Sequence, residues 1–193
     1  MNTALKSALK TAALAAAAVV AVAGCSSTPT TKAPTTPAAV STAKAATVNL
    51  AAASASLVSG KLSVVPMGDG VHITGEIGGF APNSTHAIHI HEKGDCSAAD
   101  ASSAGGHFNP SASPHGKVDS DAHHGGDMNN IVADVEGVAR IDVHASGVTL
   151  GGGAANDVAG KAVIVHASAD DYKTQPTGNA GGRIACGVIT VTQ

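Results

Sequence analysis

Ten histidines are the most chemically informative residues of this chain of 193 residues, and six of them form a pattern that suits metal binding. His89 and His91 are two positions apart, so in a strand both imidazoles point to the same side and can bind one ion together. Such a pair is weak evidence by itself, because paired histidines are common on strand faces. The other four histidines are His107, His115, His124 and His166. The six histidines together are spread over four separate segments of the chain.

A carboxylate accompanies these histidines, since Asp127 follows His124 in the glycine-rich sequence HHGGD. Imidazoles with one carboxylate suit zinc or copper and suit calcium or magnesium poorly, because the latter ions prefer oxygen ligands. A histidine-rich loop can instead be a metal-scavenging tract or a solvated surface. A scavenging tract does not require histidines in separate segments, so the pattern favours a built zinc or copper site.

The elements that must position these residues are predicted to be strands. Only 2% of the residues are aromatic and 23 are glycine, which favours a turn-rich β domain with a core of Val, Ile, Leu and Ala. No sustained helical period follows the first residues, so we predict an all-β sandwich or barrel. The predicted strands are 47–53, 60–65, 71–77, 87–91, 131–135, 138–143, 161–166 and 184–191, with a hairpin turn at 67–70. Two long loops, 92–130 and 167–182, are of a length that is usually functional.

The N-terminal segment reads as a signal peptide over residues 1–24, with Lys6 and Lys10 before a short apolar run. It ends in Val-Ala-Gly-Cys, which resembles a bacterial lipobox and predicts lipidation of Cys25. The alternative is ordinary cleavage that leaves Cys25 as a spare thiol. Residues 25–46, rich in Pro, Thr, Ala and Ser, are predicted to be a flexible linker, and residues 47–193 a single domain.

The two cysteines of this domain, Cys96 and Cys186, are predicted to form a disulfide, because an exported protein meets an oxidising compartment. Two buried free thiols are the alternative. The domain has seven basic and fourteen acidic residues, a net charge of −7, since four lysines and no acid precede residue 47. A domain of this charge has no general attraction for nucleic acid.

Several segments together resemble the copper/zinc superoxide dismutase family, and they occur in order over most of the domain. The matching sequences are HIHEKGDCS (89–97), SAGGHFNP (103–110), HHGGDMNN (123–130), VIVHASADDY (163–172) and GNAGGRIACGVI (178–189). The resemblance implies an eight-stranded Greek-key β-barrel with a long zinc loop and an electrostatic loop over the active site. Cys96 comes earlier in its loop than in eukaryotic members, which follows the spacing of bacterial ones.

The resemblance also implies the ligands of one copper and one zinc ion per subunit. It implies that His107 bridges the two metals as imidazolate. The H-x-x-D spacing of the family selects His124 over His123 as a zinc ligand. The implied copper ligands are His89, His91, His107 and His166, and the implied zinc ligands are His107, His115, His124 and Asp127.

Further roles follow from the same resemblance. Asp170 is implied to link the imidazoles of His89 and His115, and Arg183 to guide the anionic substrate to copper, with Lys173 as a weaker candidate for that task. His86 matches a family histidine that packs near the copper strand without binding metal. His72 and His144 lie in strand patterns and are predicted to be structural or surface residues.

The implied activity is the conversion of superoxide to dioxygen and hydrogen peroxide by copper that alternates between Cu(II) and Cu(I). As a periplasmic, membrane-anchored lipoprotein, such an enzyme would protect the cell envelope from superoxide formed outside the cytoplasm. Two alternatives remain open: a lipoprotein that buffers or delivers copper and zinc, and an envelope lipoprotein whose metals only stabilise its fold. The sequence leaves the oligomeric state, including a homodimer, undetermined.

Overall fold

The computed structural model describes residues 39–193, and this part of the chain is all-β. It contains no α-helix, only a single 3-10 turn at Ser102–Ala104. The predicted all-β class is therefore confirmed. The strands are β1 (Ala46–Ala52), β2 (Ser59–Met67), β3 (Gly70–Gly78), β4 (Thr85–His86), β5 (Ile88–His91), β6 (Ile131–Val132), β7 (Val138–Ser146), β8 (Ala162–His166) and β9 (Arg183–Val191).

Seven strands form one antiparallel sheet in the order β5-β8-β9-β1-β2-β3-β7, and β4 pairs with β6. Only Ala87 separates β4 from β5, and a bridge between Ala133 and Ala139 joins the end of β6 to β7. The short pair therefore connects the two edges of the curled sheet. Eight strands result when β4 and β5 are counted as one, while the Greek-key connection stays a prediction.

The predicted strands match the observed ones closely, apart from the region of β4 and β6. The hairpin of β2 and β3 turns at Gly68 and Asp69, inside the predicted turn. The strand predicted over 131–135 ends at Val132, because Asp134 begins a turn in which its carboxylate accepts hydrogen bonds from the backbone N–H groups of Glu136 and Val138. Strand β4 is absent from the prediction, since two residues carry no periodicity.

Strict alternation separates the hydrophobic core from the histidines. In β5, Ile88 and Ile90 belong to the main core cluster, so His89 and His91 point to the opposite face. In β8, Val163 and Val165 belong to that core. The outer face of β5 and β8 is buried as well, since every residue of both strands is buried. The two long loops cover this face.

A smaller apolar cluster lies on the outer side of β8 and β9. It joins Ile164 and Cys186 to the alanines of the first long loop, among them Ala101 and Ala104. Cys96 forms a disulfide with Cys186, with a Cα–Cα distance of 5.8 Å, so the predicted pairing is confirmed. The disulfide and this cluster attach the loop to β9.

The chain already contacts the domain a few residues before β1. The backbone N–H groups of Thr42 and Ala43 donate to the carbonyl of Leu150, and that of Lys44 donates to Gln193. Residues 41–45 therefore lie against the domain, although they belong to the predicted linker. The predicted signal peptide and Cys25 lie outside the described residues. Within residues 39–193, no helix has the length and apolar character needed to cross a membrane.

Candidate metal centre

Two groups of four side chains meet on the outer face of β5 and β8, and they share one histidine. Within each group the potential ligand atoms all lie within 4.8 Å of one another, and every member is buried. The first group combines side chains from β5, β8 and the first long loop, and the second lies entirely on that loop. The groups are His89, His91, His107 and His166, and His107, His115, His124 and Asp127.

The first group offers four imidazole nitrogens to one point. Nε2 of His91 lies 3.3 Å from Nε2 of His166, and the rings of His89 and His107 have centroids 4.0 Å apart. Nδ1 of His89 is buried without a hydrogen-bond partner within the described residues. Four convergent imidazoles are a donor set that suits copper or zinc.

The second group is centred on the carboxylate of Asp127. Its Oδ1 lies 2.9 Å from Nδ1 of His107, 3.0 Å from Nδ1 of His115 and 3.3 Å from Nδ1 of His124. Three imidazoles and one carboxylate make a four-ligand set of the kind that closes a zinc site. The backbone N–H groups of Gly116 and His124 donate to the other oxygen, Oδ2, and hold the carboxylate in place.

His107 belongs to both groups because its two ring nitrogens face different ways. Nδ1 faces Asp127, whereas Nε2 is buried and has no hydrogen-bond partner in the part of the chain that the structure describes. A buried nitrogen without a partner is costly unless a ligand satisfies it. Strand β5 fixes the backbone of the loop at His107. The N–H of Phe108 donates to the carbonyl of Ile90, and His91 and His107 form an isolated antiparallel β-bridge. The structure thus brings together all the sequence-predicted ligands.

Anchors hold the ring nitrogens that face away from the two groups. Nδ1 of His91 lies 2.9 Å from the carbonyl of Gly105, and Nδ1 of His166 lies 3.4 Å from that of Gly181. Asp170 holds two rings at once: its Oδ2 lies 2.9 Å from Nε2 of His89, and its Oδ1 lies 3.0 Å from Nε2 of His115. Metal-binding histidines characteristically have such partners, which fix the ring orientation and the tautomer.

Burial keeps three imidazoles of the first group neutral. Removal from water lowers the pKa of His91 to about 2, that of His166 to about 3 and that of His107 to about 4. The positive charge of Arg183 contributes to the lowered pKa of His91 and His166. At pH 7 these rings are uncharged and offer a lone pair, which is the form that binds metal.

The carboxylates act against burial in the second group. Burial by itself would lower the pKa of His115, but the carboxylates of Asp127 and Asp170 outweigh it and raise that pKa to about 9. Burial would raise the pKa of Asp127, yet its contacts with three histidines hold it well below the usual range. For Asp170, the contacts with His115 and His89 have the same effect on the pKa. Both carboxylates are therefore ionised at pH 7.

Asp170 is held in place by residues that the sequence analysis did not select. The side-chain amide of Asn130 donates to the carbonyl of Asp170 at 2.9 Å and accepts from its N–H at 2.8 Å. The hydroxyl of Tyr172 accepts from the N–H of Asn130 at 2.8 Å. Gly178 has a φ of +69°, and a Cβ there would collide with the carboxylate of Asp170. No spacing rule links Asn130 to a residue 40 positions away, so the sequence alone could not reveal it.

Arg183, at the start of β9, lies next to the first group. Its guanidinium donates to the carbonyls of Ala101 at 2.7 Å and Gly105 at 2.5 Å. Gly105 is also the carbonyl that anchors His91. Since a guanidinium has five N–H donors, others remain for an anion. Lys173 is exposed on the second loop.

The remaining histidines lie outside the two groups. Nδ1 of His123 donates to the carbonyl of His124, and its Nε2 lies 3.2 Å from Oγ of Ser146. His86 stacks on Phe80, and its Nδ1 lies 2.8 Å from the carbonyl of His166. The two strand histidines pair with surface carboxylates; the pairs are His72 with Asp142 and His144 with Asp69.

Comparison with known proteins decides which family has this arrangement. Residues 58–189 match the family model described as copper/zinc superoxide dismutase. The chain belongs to the copper/zinc superoxide dismutase family. The matched range begins just before β2, ends within β9 and includes every residue of the two groups.

Four curated members of this family are 40–44% identical to the chain over the aligned residues. It is 44% identical over 135 residues to superoxide dismutase [Cu-Zn] 2 of Aquifex aeolicus, covering 68% of this chain and 79% of the relative. It is 41% identical to superoxide dismutase [Cu-Zn] of Caulobacter vibrioides, with coverage of 68% and 78%. The extracellular superoxide dismutase [Cu-Zn] of Brugia pahangi is 40% identical, with coverage of 62% and 63%.

Solved structures share the fold. The crystal structure of the clock protein EA4 has a TM-score of 0.69 and 36% identity, covering 80% of this chain and 98% of that one. The crystal structure of a SOD-like protein from Bacillus subtilis has a TM-score of 0.67 and 34% identity, with coverage of 74% and 97%. The family fold therefore includes proteins described only as SOD-like, which makes the ligand groups the feature that bears on activity.

Proposed function

We propose that this chain is an exported superoxide dismutase that converts superoxide to dioxygen and hydrogen peroxide. The observation that carries the proposal is the pair of buried ligand groups that share His107. Membership of the copper/zinc superoxide dismutase family and relatives of that name support the activity. The cofactors are one copper and one zinc ion per subunit.

The two groups differ in the charge that they offer, and this supports the assignment of the metals. The four-imidazole group, His89, His91, His107 and His166, would hold copper, because neutral nitrogen donors stabilise both Cu(II) and Cu(I). The second group includes the ionised carboxylate of Asp127 and would hold zinc, which has no redox chemistry of its own. The role of zinc there would be to hold the ring of His107 through Nδ1.

Copper held by the first group would supply the redox chemistry, since it can alternate between Cu(II) and Cu(I) as one superoxide is oxidised and the next is reduced. The residues of the chain supply charge and protons. Arg183 attracts and orients the small anion beside the first group. Nε2 of His107 can accept a proton only while it is not bound to copper, and in that state it would donate the proton to the reduced oxygen species; water would supply the second proton. In balance, two superoxide ions and two protons give one dioxygen and one hydrogen peroxide.

The test combines an activity measurement with a metal count. Pulse radiolysis would follow the loss of superoxide, and copper and zinc would be counted on the same sample. We expect rapid loss that depends on enzyme concentration, with about one copper and one zinc per chain. A sample that holds both metals and does not accelerate superoxide loss would instead support the metal-buffering function.

The cellular place of the enzyme forms the second part of the proposal. We propose that Cys25 is lipidated after removal of residues 1–24 and that the anchored enzyme acts in the periplasm. The lipobox-like Val-Ala-Gly-Cys and the Pro/Thr-rich segment after it support this. The Cys96–Cys186 disulfide supports export, since disulfides persist in oxidising compartments. An anchored enzyme of this kind would remove superoxide at the cell envelope.

A further inference from the structure

We propose that Gln175 is a positioning residue for His115, by which the second long loop sets the geometry of the zinc site. Its side-chain Oε1 accepts a hydrogen bond from the backbone N–H of His115 at 2.8 Å. Its Nε2 donates to the backbone carbonyl of the same residue, also at 2.8 Å. The inference rests on the proposed zinc site, in which His115 is a ligand.

His115 needs such a partner because no strand of the described chain lies beside it. It occurs in an irregular part of the first long loop and is only 4% exposed. Buried backbone N–H and C=O groups require hydrogen-bond partners. A primary amide presents one acceptor and two donors in one plane, as a peptide group presents one of each. Gln175 therefore takes the place of a neighbouring strand.

Together with Asp170, Gln175 attaches His115 to the second long loop at three points. Asp170 Oδ1 holds the ring at Nε2, while Gln175 holds the backbone on both sides of the Cα. The ring then has little freedom, and its Nδ1 stays near Asp127 Oδ1 at 3.0 Å. Groups that orient a ligand in this way commonly change metal affinity by about 10- to 100-fold when they are removed.

The contacts of Gln175 predict an effect that is specific to zinc. Besides His115, its side chain contacts only the carbonyl of Lys173, at 3.4 Å, among the hydrogen bonds of the described residues. None of the four residues of the copper group is a partner. Gln175 is also exposed, so its replacement leaves the hydrophobic core intact. Loss of the amide should therefore weaken zinc binding and leave copper binding nearly unchanged.

The experiment compares Gln175→Ala with Gln175→Glu and with a matched control in the same loop. Zinc release from each holoenzyme is measured by competition with a chromophoric chelator, and copper affinity is measured on the same preparations. Cobalt(II) in place of zinc reports the site geometry through its visible spectrum. Glu keeps the acceptor and loses the donor. The control is Thr174→Val, which removes the hydrogen bond from Thr174 Oγ1 to Asp171 and no contact with His115.

We expect zinc affinity to fall about 10-fold in Gln175→Ala and less in Gln175→Glu, with an altered cobalt spectrum and copper affinity within about 2-fold. Thr174→Val should match the wild type. Unchanged zinc affinity and an unchanged cobalt spectrum in Gln175→Ala would overturn the inference. The inference would also be overturned if copper affinity, zinc affinity and stability against urea all fell to the same extent, since that would indicate a general structural role. A wild type that binds no zinc would instead contradict the proposed zinc site itself.

Discussion

At the scale of single residues, His107 has the greatest influence because it belongs to both ligand groups. Nδ1 is engaged by Asp127, and Nε2 has no partner among residues 39–193, so the ring can serve one ion on each side. The rings of His89, His91 and His166 each have an anchor on their outward nitrogen. Replacing an outer ligand disturbs one group, whereas replacing His107 removes a ligand from both.

His107→Ala should abolish dismutase activity and reduce the content of both metals, because one imidazole completes two coordination sets. Pulse radiolysis and a metal count on one sample check this. His144→Ala is the matched control, since His144 pairs with Asp69 outside both groups and its loss should leave both measurements unchanged. Full occupancy of copper and zinc with normal turnover in His107→Ala would contradict the bridge.

Arg183→Ala should keep both metals and lower the rate about 10-fold, because the anion loses an attracting charge and a hydrogen-bond donor. Higher ionic strength should slow the wild type more than the variant, since screening weakens an attraction that the variant lacks. Arg183→Lys should be intermediate, because it keeps the charge and loses the planar fork. Rates from pulse radiolysis over a series of salt concentrations check this.

Arg140→Ala is the matched control for this prediction. It removes the same charge from the domain. Arg140, however, is exposed on β7, and its Nε lies 3.8 Å from Oε1 of Glu76, away from the ligand groups. Its rate and salt dependence should therefore remain close to those of the wild type. If Arg183→Ala has the same rate and salt dependence as Arg140→Ala, Arg183 has no specific role in attracting the anion.

At the scale of elements, the site is a product of two loops fixed to β5, β8 and β9. The first loop is attached to β9 twice: the Cys96–Cys186 disulfide holds one part of it, and Arg183 holds the carbonyls of Ala101 and Gly105. Gly105 in turn anchors the ring of His91. Because the disulfide and Arg183 share this task, the loss of both attachments should reach the first ligand group, whereas the loss of one leaves the loop held by the other.

Replacing both Cys96 and Cys186 by serine should lower the free energy of unfolding by about 4–5 kcal/mol, because the bond closes a loop over a sequence separation of 90. Urea unfolding of the metal-free protein checks this. The control is the wild type with its disulfide reduced, which differs from the oxidised wild type only in that bond. The reduced protein should resemble the double variant. A loss below about 1 kcal/mol would show that the covalent link adds little to the packing of the small apolar cluster.

Much of this architecture could be predicted from the sequence, because alternation survives in long strands. Strands β2, β3 and β7 have period-two patterns, and the His-x-His of β5 follows the same rule. The two-residue strand β4 and the early end of β6 depend on pairing and on a local turn, which leave no periodic trace. The ligand set and its division into two groups both follow from the resemblance to the family.

The supporting residues of the site could not be predicted in this way. Asn130 and Gln175 act through side-chain amides that pair with backbone groups 40 and 60 positions away. An amide in a loop gives no spacing signal, since its partner is set by how two loops fold against each other. Such residues become visible only when the three-dimensional contacts are known.

At the scale of the whole molecule, the net charge bears on the approach of the substrate and on the proposed attachment to the membrane. The domain carries a net charge of −7, so an anionic substrate is repelled at long range and must be drawn in locally by Arg183 and the metals. The same charge disfavours electrostatic adsorption of the domain to an anionic membrane surface. A membrane location therefore needs an anchor other than the charge of the domain, and the proposed lipid on Cys25 would supply one.

Cys25→Ser should leave the domain folded and active but release it from the membrane, because the lipid on Cys25 is the proposed anchor. The full chain is expressed in its host, and dismutase activity is measured in membrane and soluble fractions after a salt wash. Ser26→Ala is the matched control, since it changes the next residue of the linker and keeps the thiol; it should remain with the membrane until detergent is added. A Cys25→Ser protein that stays with salt-washed membranes would contradict lipidation, because the acidic domain offers no electrostatic means of staying there.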